Sequence, residues 1–257
     1  MTVRDTLSGL GQRANPAFAV GAVAVPLAAF GAALTVGSVT LHMYVHVMAG
    51  VLWTGIDLFM AMVVGPVLGG LDPEERANWF ASFTPKMTFL MPTLATVTIF
   101  GGITLAIRMG YFPNAGPWIA LFAFVAFVPA LLILGWVFDA FGDRRWQAAF
   151  GLSLLGNGAY LAIELSQSGM ALPEIRPLIL VVLAVMVVLT VQSFGFLMPS
   201  EVLVYREGIK ENPDTDRIGR LGMRNARLSG VQGAFQLSII ALMVLWRWGW
   251  EWTGLPF

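Results

Sequence analysis

Both histidines of the chain, His42 and His46, lie four residues apart in an apolar stretch that also contains Asp57. In an α-helix with about 3.6 residues per turn, all three side chains project from the same face. Imidazoles can ligate haem iron or copper, and a carboxyl group can hold a proton or a cation. Ionisable side chains at membrane depth usually face a helix bundle or a wet cavity. The spacing therefore predicts a redox, metal or proton site on this face.

Gly50 and Trp53 belong to the same stripe. Glycine leaves a flat surface beside His46, which suits the close approach of a neighbouring helix and would equally suit a planar macrocycle. Asp57 also has two interpretations. It is either a buried acid held by hydrogen bonds and without further task, or a group that handles protons or cations or contacts a cofactor.

Two methionines lie close to the histidines in the sequence. Thioether sulfurs and imidazoles together are soft ligands that suit Cu(I). His42, His46, Met43 and Met48 are therefore the candidate metal ligands if the protein handles copper. Methionine is also an adaptable filler of apolar cores. With 13 methionines in the chain, that ordinary packing role stays open.

The residue types that are missing exclude several kinds of site. The chain has no cysteine, which rules out disulfides, iron–sulfur clusters and cysteine nucleophiles. Lys86 and Lys210 are the only lysines, and neither lies inside a seventh span where a retinal Schiff base would form. Because both histidines lie on one helix, a single chain cannot hold a haem between histidines of different helices. Basic and acidic residues are balanced at 15 each, so the net charge gives no sign of a nucleic-acid partner, and we expect none.

The elements that position these residues are membrane-spanning helices. Of the 257 residues, 57% are hydrophobic and 12% are charged, whereas soluble domains average about 25% charged residues. A span needs about 20 apolar residues, and the remaining length leaves no room for a soluble enzyme module. We therefore predict an all-α, polytopic transmembrane bundle that forms one membrane domain over 1–257 in a lipid bilayer. The seven predicted spans are about 16–39, 41–68, 84–107, 117–138, 146–165, 177–204 and 228–248.

The basic residues predict the orientation of these spans. Seven spans divide the connecting segments into two sets, one with twelve lysines and arginines and the other with three. Positively charged loops stay cytoplasmic, so we predict the N-terminus inside and the C-terminus outside, in a prokaryotic inner membrane. Without the fifth span, which Asn157 and Glu164 interrupt, the basic cluster over 206–227 would lie outside. The split therefore favours seven spans and a cytoplasmic loop over 206–227.

Three further segments are expected at the membrane boundary. Asp72 before Pro73 is typical of a helix N-cap, and the aromatic residues that follow predict a short interfacial helix over 71–83. The tryptophans over 246–252 predict an aromatic belt at the outer interface. The loop 206–227 mixes six basic residues with four acidic ones. This mixture indicates a solvated loop, with a contact to anionic lipid or a partner as the alternative.

The second predicted span resembles the opening helix of the CopD-type copper-resistance membrane domain and of HemJ-type protoporphyrinogen oxidases. Those helices contain a histidine, six mostly apolar residues, a tryptophan and then a glycine, as do His46, Trp53 and Gly55 here. The next span fits as well, with Pro85-Lys86 near its start and a late glycine pair. The resemblance covers about residues 41–108.

This resemblance implies that His46 binds haem b, as in the HemJ type, or handles copper, as in the CopD type. A functional lysine is associated with the HemJ type, and Lys86 is the nearest candidate. The chain is longer than HemJ-type proteins and lacks their additional histidines, and Asp57 is not part of the pattern. We therefore expect a relative with a task other than protoporphyrinogen oxidation.

Our leading expectation is a membrane protein with a haem b or metal redox site in the outer leaflet. Haem b would bind to His46 against Gly50 and Trp53, with Asp57 below it as a proton site or polar anchor. A copper-handling permease is one alternative, and a cofactor-free scaffold subunit of a larger membrane complex is another. Other membrane subunits or a second copy of the chain are the expected protein partners. The sequence leaves open whether the protein is an enzyme.

Overall fold

Apolar residues dominate the long segments of the chain, and these segments are helical. The computed structural model describes residues 3–248, with the side chains of residues 4–245. Hydrocarbon offers no water to bind backbone N–H and C=O groups, so a helix that bonds them internally is the stable form. The elements are α1 Val3–Ala14, α2 Pro16–Thr35, α3 Val39–Phe59, a π-helical segment Met60–Val64, α4 Gly65–Gly69, α5 Pro73–Arg108, α6 Gly116–Val137, α7 Arg144–Gln167, α8 Pro177–Gln192, a second π-helical segment Ser193–Leu197, α9 Met198–Gly208 and α10 Thr215–Trp248.

Seven continuous helical segments are long and apolar enough to cross a membrane, which confirms the predicted number of spans. Residues 3–248 contain no strand, so the all-α class is confirmed for the described part of the chain. The orientation stays a prediction, and the predicted aromatic belt over 246–252 lies outside the described side chains. The seven segments are Pro16–Thr35, Val39–Gly69, Pro73–Arg108, Gly116–Val137, Arg144–Gln167, Pro177–Gly208 and Thr215–Leu245.

Helix α5 is continuous over 36 residues, so the separate interfacial helix predicted over 71–83 is wrong. Its N-cap is confirmed, because the Asp72 carboxylate accepts from the Glu75 N–H at 2.9 Å. The side chain of Phe80 does not enter lipid; it is 3% exposed and lies in a protein core. Of the aromatic residues expected to meet lipid, Phe80 is thus covered by neighbouring helices, whereas Trp79 and Phe83 are half-buried and stack on each other. The other members of this core are Leu68, Ala77, Val204 and Ile218.

The segment 206–227, predicted as a loop, is largely helical, and the chain leaves the helices only over 209–214. Glu207 holds this turn, because its carboxylate pairs with Lys210 at 2.8 Å and with Arg217 at 3.1 Å. Both acceptor oxygens of this side chain are thus used by basic residues of the turn and of the next helix. Arg206 lies on α9, and the remaining basic residues of this segment, Arg220, Arg224 and Arg227, lie on α10.

The first of two compact units comprises residues 1–109 and 196–231. Helix α5 lies at its centre, where α1, α2, α3 and α9 contact it. Thr6, Leu10 and Ala14 of α1 are buried. They lie on one face of the helix because they recur every four positions. Gly9 on the same helix has no room for a Cβ atom beside the Tyr205 hydroxyl. The N-terminal helix is therefore packed into this unit.

The second unit comprises residues 110–195 and 232–257, of which the chain up to 248 is described. In it, α6 packs against α7 and α8. The Ser193 hydroxyl donates to the Gln232 side chain at 3.0 Å, a bond between helices that is common inside membrane bundles. Helix α7 has no buried residue among those described. Its residues are half-buried or exposed, with one side of the helix lying against α6.

Candidate functional site

The stripe of α3 predicted to carry chemistry faces the interior of the first unit. His42 and Asp57 are 0% exposed, and His46 and Trp53 are nearly as deeply buried. The helix begins at a serine cap, where Ser38 Oγ accepts from the Leu41 N–H at 3.1 Å. Helix α5 covers the stripe and supplies most of its polar contacts. The site is therefore built on the contact between α3 and α5.

His46 fits closely against α5. Its Nδ1 lies 2.9 Å from the backbone oxygen of Thr98. A carbonyl only accepts, so Nδ1 carries the hydrogen, and in the neutral imidazole Nε2 then keeps its lone pair. The ring packs on Gly102, where an added Cβ would lie 2.9 Å from His46 Cε1, and on Gly101. The late glycine pair of α5 thus makes room for this imidazole.

His42 links α3 to α5 by hydrogen bonds at one end of the contact between these helices. Arg108 Nη1 lies 3.3 Å from His42 Nδ1, and Thr104 Oγ1 lies 3.2 Å from its Nε2. A guanidinium only donates, so Nδ1 accepts and Nε2–H donates to the threonine hydroxyl. Arg108 also donates to the carbonyls of Ala33 at 2.8 Å and of Gly37 at 2.9 Å. Both ring nitrogens of His42 are therefore engaged in joining α3, α5 and the turn after α2.

The flat surface at Gly50 receives a neighbouring helix. An added Cβ on Gly50 would lie 3.3 Å from Thr98 Cγ2 of α5, and Trp53, one turn further, is buried. A macrocycle over these two residues would require α3 and α5 to separate. With the two helices packed as they are, these residues do not fit a haem.

The candidate copper ligands do not converge. Met43 and Met48 are each 40% exposed, whereas His42 and His46 lie on the buried face. Within the described part of the chain, no group of three or more histidine, aspartate or glutamate side chains is placed to hold a metal ion. Lys86 is also apart from these residues, since its Nζ donates to the Ser82 carbonyl of its own helix at 3.0 Å.

A second acid joins Asp57 in the first unit. Glu201 of α9 is hydrogen-bonded to Thr88 of α5 and lies close enough to Asp57 for the two carboxyl groups to interact electrostatically. Glu201 was not among the site residues predicted from the sequence. The available signal was a glutamate inside the sixth apolar stretch, directly after Pro199 and Ser200. Helices α5 and α9 thus bring a hydroxyl and a carboxyl group into contact, within the electrostatic reach of the Asp57 carboxyl group on α3.

The Thr88 hydroxyl can donate its hydrogen either to the Thr84 carbonyl or to Glu201, and which of the two it does depends on whether Glu201 is protonated. Its oxygen lies 3.0 Å from the Thr84 carbonyl, to which it donates. A hydroxyl carries one hydrogen. While that hydrogen is given to Thr84, the bond to Glu201 needs a proton on the carboxyl group. When Glu201 is ionised, the hydroxyl must turn and donate to it instead.

Both helices that carry the acids change their winding nearby. The π-helical segment Met60–Val64 starts three residues after Asp57, and Ser193–Leu197 ends four residues before Glu201. π-helical turns insert an extra residue into a helix and are frequent at functional sites. A Cβ on Gly230 of α10 would lie 2.9 Å from Ala61 Cβ, so α10 packs directly on the first of these segments.

Comparisons with protein-family models, curated proteins and solved structures gave no match.

Proposed function

We propose that this integral membrane protein handles protons at the carboxyl pair Asp57–Glu201. The observation that carries the proposal is the electrostatic interaction of these two acids, one of which is hydrogen-bonded to Thr88, among helices that are long and apolar enough to span a membrane. Two carboxylates in a low-dielectric site repel each other and each is costly to desolvate. A proton held by the pair relieves both effects. Such a pair is suited to accepting and releasing one proton.

The position of the pair along the helices favours exchange with one side of the membrane. Asp57 lies 12 residues before Gly69, the end of its spanning segment, and Glu201 lies seven residues before Gly208. At about 1.5 Å per residue, these separations are about 18 Å and about 10 Å. The predicted orientation, N-terminus inside and C-terminus outside, makes this the cytoplasmic end. Protons therefore have a shorter way to the cytoplasm than to the outer surface.

Proton movement in reconstituted vesicles tests this proposal. The purified protein is placed in vesicles that contain a pH-sensitive dye, and a potassium diffusion potential is imposed. We expect the wild type to conduct protons faster than empty vesicles, and Asp57→Asn and Glu201→Gln to abolish the difference. Glu174→Gln, which removes an exposed carboxyl group between α7 and α8, is the control and should behave as the wild type. Equal fluxes in all four proteins would refute the proposal.

A haem b or metal redox site at His46 is the second candidate. It is supported by the bond from Nδ1–H to the Thr98 carbonyl, because metal-binding histidines commonly donate their other ring N–H to such an acceptor. The haem would supply one-electron chemistry, and the residue that would hold it is His46. Since Thr98 of α5 lies against Gly50 and Trp53 is buried, this candidate requires a second arrangement of α3 and α5. A visible absorption spectrum of the purified protein tests it.

A further inference from the structure

Four arginines line one cavity of the first unit. The cavity has a volume of about 400 Å³ and lies where the turn before α5 meets the first half of α10. Arginine supplies most of its charge, with one aspartate at the same surface. The residues that matter here are Arg76, Arg220, Arg224, Arg227, Asp216 and Gly219.

Helical spacing places three of these arginines side by side. Arg220, Arg224 and Arg227 recur at intervals of four and three residues, so they project from one face of α10. All three are exposed to solvent along this face. Gly219 leaves room for the fourth arginine, because a Cβ there would lie 3.4 Å from Arg76 Cδ. The arginines of two helices therefore surround one space.

Arg76 is held rigidly in this arrangement. Its Nε donates to the Leu68 carbonyl at 2.9 Å, and its Nη2 donates to the Leu71 carbonyl at 2.7 Å. These carbonyls belong to the end of α4 and the following turn, where helical C=O groups lack partners within the helix. The guanidinium is thus fixed at the cavity before any ligand arrives. A preorganised cation binds an anion with less loss of side-chain freedom.

The positive charge of the cavity is not balanced by ion pairs within the described residues. Among the described residues, the ion pairs join Glu207 to Lys210 and to Arg217, and none involves an arginine of the cavity. Arg224 contacts the Ser200 hydroxyl, which carries no charge. Four guanidinium groups against the single carboxylate of Asp216 leave an excess of three positive charges at the wall.

We propose that this cavity binds the phosphate group of an anionic ligand. Planar guanidinium groups donate parallel hydrogen bonds that match phosphate oxygens, and several around one space match a group with three or four oxygens. The ligand is either an anionic phospholipid or a soluble phosphate compound, since both carry this group. The predicted orientation places the cavity at the cytoplasmic boundary, which both can reach. The proposal does not depend on proton handling at Asp57 and Glu201.

The test variant is Arg220→Gln with Arg227→Gln, because these two side chains form no hydrogen bond or ion pair with the described part of the chain. Arg76 and Arg224 are left in place because they also contact protein groups. The matched control is Arg144→Gln with Arg145→Gln, two basic residues at the start of α7 that do not line the cavity. Melting temperatures without ligand establish that both double variants fold as the wild type does.

Two probes distinguish the sources of the phosphate group. In the first, the full-length protein is incubated in detergent with an equimolar mixture of phosphatidylglycerol and phosphatidylcholine, and retained lipid is measured by native mass spectrometry. In the second, the affinity for inorganic phosphate is measured by calorimetry. Removing a charge-assisted hydrogen-bonding arginine weakens binding by about tenfold, so the double variant should lose about a hundredfold.

Each outcome decides the proposal. Selective retention of phosphatidylglycerol by the wild type and the control, and its loss in the cavity variant, supports a lipid headgroup. Phosphate affinity with the same dependence on Arg220 and Arg227 supports a soluble ligand. If neither probe binds the wild type more tightly than the cavity variant, the proposal is overturned. Equal losses in the cavity variant and the control would overturn it as well, since general surface charge would then explain them.

Discussion

A methyl group at Gly102 tests the contact between α3 and α5 on which the site is built. In Gly102→Ala, the new Cβ would lie 2.9 Å from His46 Cε1. The nearest atom belongs to a ring that is buried and hydrogen-bonded to Thr98, so it cannot swing away freely. We therefore expect the two helices to move apart or the imidazole to leave the carbonyl.

The expected size of this effect follows from three contributions. Overpacking a tightly packed contact costs about 1–3 kcal/mol, and losing the buried hydrogen bond of His46 costs about 0.5–1.5 kcal/mol. Alanine regains about 1 kcal/mol over glycine in helix propensity. The net destabilisation is then about 0.5–3.5 kcal/mol. At about 2–4 °C for each kcal/mol in a chain of this size, the melting temperature should fall by about 1–14 °C.

Two other glycines provide a graded control. At Gly101 an added Cβ would lie 3.4 Å from His46 Cβ, which is close to ordinary contact, and at Gly55 it would meet nothing within 4 Å. Intrinsic tryptophan fluorescence, with nine tryptophans in the chain, follows thermal unfolding of the detergent-purified protein. We expect Gly102→Ala to melt lowest, Gly101→Ala between, and Gly55→Ala at or above the wild type. A Gly102→Ala protein as stable as Gly55→Ala would refute the packing of His46 on α5.

Three further predictions concern the hydrogen bonds of Arg108 beside His42, the orientation of the spans in the membrane and the haem candidate at His46. Arg108→Gln should lower stability by about 1–3 kcal/mol, because it leaves backbone carbonyls at the turn after α2 without their donor; urea unfolding in detergent measures it, and an unchanged midpoint would contradict the role. A reporter fused after Phe257 should be active outside the cytoplasm, and cytoplasmic activity would contradict the predicted seven-span orientation. If the purified protein shows a Soret band, His46→Ala should abolish it and His42→Ala should retain it, because both nitrogens of His42 are already engaged; equal bands in both variants would contradict the assignment to His46.

The spans could be predicted from the sequence because each is a continuous apolar run, and the cost of exposing backbone to hydrocarbon leaves only helices. The burial of Asp57 could be predicted for a related reason. An acidic side chain inside an apolar span is costly to expose to lipid, so it faces the other helices. The cap at Asp72 is likewise a local signal, carried by the aspartate and the proline that follows it. These features depend on residues close together in the chain.

The features that were missed depend on distant partners. The Arg108 side chain reaches His42 across 66 residues, and Glu201 meets Asp57 only because α9 and α3 belong to one unit. The interfacial helix over 71–83 was predicted wrongly because its aromatic face suits lipid and a protein core equally. Helical spacing did not show which surface would cover Phe80. The spacing of residues in a single sequence shows which side chains share a helix face, but it does not show which helix packs on that face.

Infrared difference spectroscopy tests most directly the proposal that the carboxyl pair Asp57–Glu201 holds a proton inside the helices. A pH change applied to the reconstituted protein should alter the absorption of a protonated carboxyl group that exchanges its hydrogen slowly in deuterated water. We predict that both Asp57→Asn and Glu201→Gln remove or shift this band, while Glu174→Gln leaves it unchanged. A band that is the same in all four proteins, or absent from the wild type at every pH, would contradict the account.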